Sequence, residues 1–277
     1  MAATRPSELR FIHSEMSSTD ADPGSGVSFN VRLLGPLTIL SQGRDFTPSA
    51  PKVLQVFALL ALRANKIVPT DTLIEELWDE NPPRSANTTV QTYIYQIRRI
   101  LERAKVGEDD DEPLVTKMPG YILRIRPADL DLHLFDALAA EGRELYEQRE
   151  YFRSIKALEQ ALDLWSEGPL SNVKLGPRLL PQVINLRERY RSILQMCIRA
   201  KAACGMQADI IADLQELRLT FPYDEWIHEQ LILALWQNGR RSDAMGVYRS
   251  LREVLSSQLG IDPSPEIEKI HAELLGA

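Results

Sequence analysis

Apolar residues recur along this chain in two rhythms, and the change between them falls near residue 127. The early part mixes short alternating runs with helical stripes. Phe29-Asn30-Val31-Arg32-Leu33 alternates, and Thr38-Ile39-Leu40 follows the Gly35-Pro36 break, so a small antiparallel sheet is expected with a turn near Gln42-Gly43. Pro51 opens a helix to about Asn65, whose Val53, Val56, Phe57, Leu60 and Ala64 form a broad apolar face suited to a core position. A helix from Thr70 to Trp78 then runs into the stiff turn Asn81-Pro82-Pro83-Arg84. A long helix follows from Ser85 to about Ala104, with Ser85 well placed as its N-cap. Thr116-Lys117-Met118-Pro119-Gly120-Tyr121 reads as a hairpin. Strands, three helices and a hairpin are enough for one compact domain over roughly residues 27–127, and the order helix, turn, long helix, hairpin predicts a winged helix-turn-helix.

From Leu130 onward the pattern is helical only, and it repeats. Gly205, Asp209, Leu214 and Leu217 recur 34 residues later as Gly239, Asp243, Tyr248 and Leu251, a spacing that belongs to tetratricopeptide-like helix pairs. A first unit fits at an offset of 56 with Gly142, Leu145, Leu158 and Ala161, so about 22 residues around Gly168 to Leu186 are inserted. Ile198, Ile210 and Ile232 stand where Gly or Ala is usual, which makes the repeats degenerate. The predicted fold is mainly α with a small β component: an α+β winged helix-turn-helix over 27–127, then an all-α helical-repeat domain over 128–277. Stacked helix pairs leave a groove that binds protein segments more often than small molecules.

Composition sets outer bounds. With 277 residues and 44% hydrophobic content the chain can bury a substantial core, and two domains fit its length. Residues 1–26 read as a flexible tail, since Ser17 to Gly26 holds Ser, Thr, Asp, Pro and Gly with a single Ala and cannot offset the entropy of ordering. No window reaches the roughly 18 consecutive apolar residues of a membrane span, and the polar N-terminus lacks a signal peptide's apolar core, so a cytoplasmic location is expected. Cys197 and Cys204 fall seven apart on one predicted helix, which separates their Cα atoms by roughly 10 Å at about 1.5 Å per residue. That is too far for a disulfide between them, and both read as free thiols.

Charge becomes informative only when the chain is divided. The total of −7 argues against nucleic acid. Residues 27–127, however, hold 13 Lys+Arg against 12 Asp+Glu, and five of those acids form the single run Glu108 to Glu112, most simply a solvated loop. Arg84 to Lys105 alone carries five bases against Glu102, a local basic footprint on an acidic chain.

The long helix beside that footprint can be read by faces. Val90, Ile94, Ile97 and Leu101 make one apolar stripe. The opposite face shows Thr88, Gln91, Thr92, Tyr95 and Arg99, with Arg98 and Arg103 on its flanks. Hydrogen-bonding groups, an aromatic ring and guanidinium groups are what reading base edges in a major groove requires. A face that is merely solvated usually carries Glu and Lys instead. Enzymatic chemistry finds no support: no phosphate loop, no His-Glu-x-x-His and no Cys-x-x-Cys is present. Gly24-Ser25-Gly26 lies in the tail without a following helix. His13, His133, His228 and His271 are scattered, and Trp165, Trp226 and Trp236 sit on helical apolar faces. We expect no enzyme activity, no metal site and no cofactor.

The residues that carry a family resemblance are Leu73-Ile74-Glu75-Glu76-Leu77-Trp78-Asp79-Glu80-Asn81-Pro82-Pro83-Arg84-Ser85-Ala86, Gln91-Thr92-Tyr93-Ile94-Tyr95-Gln96-Ile97-Arg98-Arg99-Ile100-Leu101 and Pro119-Gly120-Tyr121. Asn238-Gly239-Arg240 and Leu259-Gly260-Ile261-Asp262-Pro263-Ser264-Pro265-Glu266 add to them. Over residues 28–277 the chain resembles the Streptomyces antibiotic regulatory proteins, which join an OmpR-type winged helix to a helical bacterial transcriptional activation domain. The resemblance implies an activator that binds direct repeats in double-stranded DNA near a promoter's −35 element. It would recruit RNA polymerase holoenzyme, typically for a secondary-metabolite cluster, with head-to-tail protomers on the DNA and a nucleoid-associated location. It also implies that the long helix enters the major groove with Thr88, Gln91, Thr92, Tyr95 and Arg99. Lys117 would meet backbone phosphate or the minor groove, and the turn from Asp79 through Glu80 and Asn81 to Arg84 would face the polymerase. Larger relatives carry an added ATPase domain, and this chain resembles the short form without it. The 26-residue tail and the acidic run match no part of the family pattern. The readings that compete with a DNA-binding activator are a helical-repeat adaptor whose winged helix serves protein contacts, and a ligand-gated regulator with the repeat groove as sensor.

Overall fold

The computed structural model describes residues 29–104 and 112–276. The tail 1–26 with Gly24-Ser25-Gly26 and His13, and the acidic run apart from Glu112, lie outside the described residues.

Two small antiparallel sheets frame the N-terminal part. Strands β1 (Phe29–Arg32), β2 (Thr38–Ser41) and β3 (Arg44–Asp45) form the first in that order, with Val31 opposite Ile39. Phe29, Val31 and Ile39 point into the core. Gln42 and Gly43 connect β2 to β3 at φ +50 and +71, the left-handed pair that a two-residue hairpin demands. Helix α1 (Pro51–Leu62) starts on a proline and buries nine residues, including Gln55. It stops earlier than the apolar pattern implies, because Asn65 turns to φ +65 and is held by the later hairpin: its N–H donates to Leu123 O at 2.8 Å and its amide to Ile125 O at 2.8 Å.

A short strand β4 (Val68–Pro69), not evident in the apolar rhythm, leads into α2 (Thr70–Trp78). Helix α3 (Ala86–Arg103) follows, then β5 (Leu114–Lys117) and β6 (Gly120–Leu123). The second sheet has the order β4-β6-β5, which brings the hairpin back against the start of α2. Ser85 stands at the N-cap of α3, but its side chain makes no capping bond. The helix start is instead held by backbone: Ala86 N–H donates to Pro83 O at 2.9 Å, and Thr89 N–H to Ser85 O at 2.9 Å.

Among the described residues seven α-helices follow: α4 (Asp131–Glu147), α5 (Tyr151–Leu162), α6 (Leu179–Ala203), α7 (Gln207–Thr220), α8 (Glu225–Gln237), α9 (Arg241–Leu259) and α10 (Pro265–Gly276). From α4 to α9 each packs on the next, least closely α6 on α7, and α10 closes the array against α8 and α9; in chain order they fall into the pairs α4/α5, α6/α7 and α8/α9. The repeat is visible in the backbone itself: the turns inside the three pairs place Arg149, Gly205 and Gly239 at φ +63, +72 and +72. Gly142 brings α4 and α5 together, since a Cβ there would lie 2.4 Å from Leu158 Cδ2. The degenerate positions Ile198, Ile210 and Ile232 are all buried, filling space that small residues would leave. Trp226 and Trp236 are half-buried at the rim of the core, and Trp165 wedges between Phe135 at 5.4 Å and Tyr190 at 4.8 Å.

The apolar core does not break at residue 127. One cluster runs from β1 through α1, α3 and the hairpin into α4, α5 and α6 as far as Ala200, and a second begins in α6 at Leu194 and continues to Leu274. Polar contacts tie the same junction. Asp131, at the start of α4, accepts from Leu33 N–H and Leu34 N–H at 2.8 to 2.9 Å. Of the expected insert, residues 168–178 form a loop against the winged-helix part and 179–186 belong to α6: Asn172 bonds both the N–H and the carbonyl of Leu37, at 2.7 and 3.0 Å, and Leu170 N–H donates to Leu33 O at 3.1 Å. Leu170 itself stands at φ +56, a conformation that costs an L-residue about 1–3 kcal/mol. Its full burial and its bond to Leu33 hold it there.

Candidate nucleic-acid interface

The α3 stripe sets which face looks outward. Val90, Ile94, Ile97 and Leu101 are all 0–1% exposed, so the helix has one rotation about its axis. Thr88, Gln91, Thr92, Tyr95, Arg99 and Arg103 are left exposed on the other side. Tyr95 is 59% exposed, unusual for a ring in the middle of a well-packed helix. Thr92 Oγ1 donates back to Thr88 O at 3.0 Å, which turns its methyl outward. Arg99 pairs with Glu102 at 3.8 Å on the same exposed helix, and its side chain is 61% exposed.

Arg98 behaves differently. Its Nε donates to Leu114 O at 3.0 Å, its terminal nitrogen donates to Thr116 Oγ1 at 2.8 Å, and Glu112 pairs with it at 2.9 Å. This arginine ties α3 to strand β5 and fixes the angle between helix and hairpin. The hairpin tip is tied at its other edge. Thr70 N–H and Oγ1 both reach Pro119 O, at 3.2 and 3.3 Å, and Gly120 has no room for a side chain, because a Cβ would lie 1.9 Å from Val68 O. Lys117 and Met118 are consequently presented on a braced tip, Met118 at 85% exposed.

The turn between α2 and α3 leaves the helix with Asp79 at φ +55, and Asn81 N–H donates to Trp78 O at 3.1 Å. Asp79, Glu80, Asn81 and Arg84 are all exposed. The proposed reading residues thus share one exposed face of α3, the hairpin is tied to that helix through Arg98, and the Asp79 to Arg84 turn stands at the N-terminal end of α3.

Sequence reasoning assigned no role to Glu76, which is 2% exposed at the junction with the insert. The signal was available: Leu73, Glu76 and Leu77 fall at i, i+3 and i+4, which sets an acid on the buried stripe of α2. Other buried titratable groups are structural. Burial pushes the Cys197 thiol up to about 12, far from a reactive thiolate. Burial also opposes the charge on Lys201, but hydrogen bonds to Asp213 and Glu159, each at 2.7 Å, outweigh it and raise the pKa of the amine. His228, buried, has its pKa lowered by desolvation. Among the described residues no group of three His, Cys, Asp or Glu is placed to hold a metal ion, and no helix is long and apolar enough to cross a membrane.

Comparison with known proteins bears on the same two regions. The family described as transcriptional regulatory protein, C terminal, matches residues 45–123, and the bacterial transcriptional activator domain matches residues 130–275. The regulatory protein DnrI of Streptomyces peucetius is 36% identical over 251 residues, covering 89% of this chain and 92% of its own. The transcriptional regulatory protein EmbR of Mycobacterium tuberculosis is 32% identical over 243 residues, 88% of this chain and 62% of its own. Among solved structures, Mycobacterium tuberculosis EmbR in complex with a low affinity phosphopeptide superposes with a TM-score of 0.76 at 30% identity, covering 91% of this chain and 66% of that one.

Proposed function

Because the chain belongs to the Streptomyces antibiotic regulatory protein family of transcriptional activators, we propose that it binds direct repeats of promoter DNA near the −35 element and recruits RNA polymerase holoenzyme, in service of a secondary-metabolite gene cluster. One observation carries the reading: an exposed helix face holding Thr88, Gln91, Thr92, Tyr95 and Arg99, on a helix whose buried stripe allows no other rotation. Residues 27–127 act as the DNA-binding module and 128–277 as the activation domain.

In this reading α3 lies in the major groove. Gln91 and Arg99 make polar contacts to base edges or phosphate, and Tyr95 packs on a base edge or sugar. Arg103 and Lys117 meet backbone phosphate from the end of the helix and from the hairpin. Arg98 serves the same surface indirectly, by keeping the hairpin in register with the helix. The turn Asp79, Glu80, Asn81 and Arg84 faces the polymerase. Protomers sit head to tail, since direct repeats impose no two-fold axis, and the protein works in the cytoplasm on the nucleoid.

Selection of bound sequences from a random duplex pool, at two salt concentrations, tests this. Short direct repeats about one helical turn apart (roughly 10 bp), with affinity falling steeply in salt, are the expected result, because phosphate contacts release counterions. Recovery of nothing above background would sink the reading in favour of a helical-repeat adaptor.

A further inference from the structure

The last turn of α2 is gripped from two sides. From α1, Gln55 Nε2 donates to Glu76 O at 2.9 Å and to Glu76 Oε1 at 2.8 Å, while Lys52 donates to Leu77 O at 3.3 Å and rests 4.6 Å from the Trp78 ring centroid. From the inserted segment, Gly176 N–H donates to Glu76 Oε1 at 2.7 Å, and Arg178 N–H and Leu179 N–H donate to Oε2 at 2.8 and 2.9 Å. The approach is so close that a Cβ at Gly176 would lie 2.2 Å from Glu76 O. Arg178 adds an ion pair to Glu75 at 2.5 Å.

We infer that Glu76 is a positioning residue for activation: by holding the inserted segment and the first turn of α6, it fixes the exit of α2 and hence the geometry of the turn Asp79 to Arg84. The inference rests on the reading of that turn as polymerase-facing. A buried carboxylate is a costly way to join two elements, since a well-packed apolar side chain is commonly as stable or more so. What the carboxylate supplies is direction: two oxygens satisfy three N–H groups of one segment and a side-chain amide of another, and only one relative placement does this. Three residues further on, the chain leaves α2 at a positive φ with its N–H still bonded to Glu75 O at 2.8 Å, so displacement of the last turn is passed directly to the exposed turn. The DNA-reading face has anchors of its own beyond the turn. Helix α3 is seated by its own stripe and tied to the hairpin through Arg98.

The test uses the full chain, an operator recovered by selection and purified RNA polymerase holoenzyme, with Glu76→Gln and Glu76→Ala. Gln keeps the volume and one acceptor, and Arg178→Ala loosens the same junction by removing the ion pair to Glu75 if the Glu76 variants fail to fold. Operator affinity should stay within about twofold of wild type, run-off transcription should fall by about tenfold, and amide exchange of residues 79–84 should quicken. Unchanged transcription despite quickened exchange would overturn the inference, as would affinity and transcription falling in the same proportion. Arg84→Ala separates this from its premise. If that variant abolishes transcription while the Glu76 variants do not, the positioning role alone is lost; if it leaves transcription intact, the polymerase-facing assignment falls and takes the inference with it.

Discussion

Adjacent arginines on α3 should respond in opposite ways to truncation. Arg99→Ala removes a side chain that is 61% exposed and paired within its own helix at 3.8 Å, a contact worth about 0–0.5 kcal/mol to stability. In complex with operator the same truncation removes a base or phosphate contact worth about 1–3 kcal/mol, so affinity should fall by about 5- to 150-fold with no change in unfolding midpoint. If phosphate is the partner, the slope of log affinity against log salt should also drop by about one. Arg98→Ala removes two hydrogen bonds, to Leu114 O and Thr116 Oγ1, from a side chain only 29% exposed. At about 0.5–1.5 kcal/mol for each bond, stability should fall by about 1–3 kcal/mol in chemical denaturation, while the ion pair to exposed Glu112 adds little. Its effect on DNA should act through the loosened hairpin and therefore depend on Lys117: Arg98→Ala and Lys117→Ala should be non-additive, whereas Arg99→Ala and Lys117→Ala should add. Fluorescence anisotropy on the selected operator reads the binding side. The reasoning is refuted if Arg99→Ala binds as tightly as wild type, or if it destabilises the protein as much as Arg98→Ala does.

Three further expectations concern the scaffold. Gly142→Ala drives a methyl into Leu158, which is fully buried and has nowhere to go; overpacking of about 1–3 kcal/mol less a helix-propensity gain of up to about 1 should leave a net loss that urea titration detects. Asp131 has its pKa raised to about 6, by burial first, against the lowering effect of the Leu34, Leu33 and Leu132 backbone bonds. Because the folded value lies above the unfolded one, its contribution is full below about pH 4 and is lost as pH rises to about 6, by up to about 3 kcal/mol; Asp131→Asn should flatten the wild-type stability slope in that window, and an unchanged slope would contradict the assignment. Thiol labelling of the native protein should modify Cys204 before Cys197, which is buried and held as a thiol.

Much of the fold was written in local pattern. The alternation Phe29 to Leu33, the α2 limits Thr70 and Trp78 and the α3 stripe follow from residues a few positions apart, where period and turn chemistry decide the outcome. The repeat offsets of 34 and 56 also proved structural, and the offset of 56 put Arg149 in register with Gly205 although the residue types differ. The misses share a cause. Strand β4 is two residues long and exists because β6 pairs with it, and α1 ends at its observed place because the hairpin claims Asn65. Neither signal lies within a helical or strand window.

The insert makes the same point with more at stake for function. A mismatch between repeat offsets says that residues are added; it does not say what they touch. Nothing local to Ser166 to Leu179 announces that Asn172 will hold Leu37, or that three of its N–H groups will converge on an acid about 100 positions earlier. The clue was on the other side of the contact, in an acidic residue standing on the buried stripe of a helix that otherwise follows the amphipathic rule. A charge at a position the pattern reserves for apolar residues requires donors from somewhere. Here three of the four come from the helical part and one from Gln55, so the winged helix and the first helical repeat share one core and one polar junction. A shift of the last turn of α2 would therefore strain contacts that reach into α6.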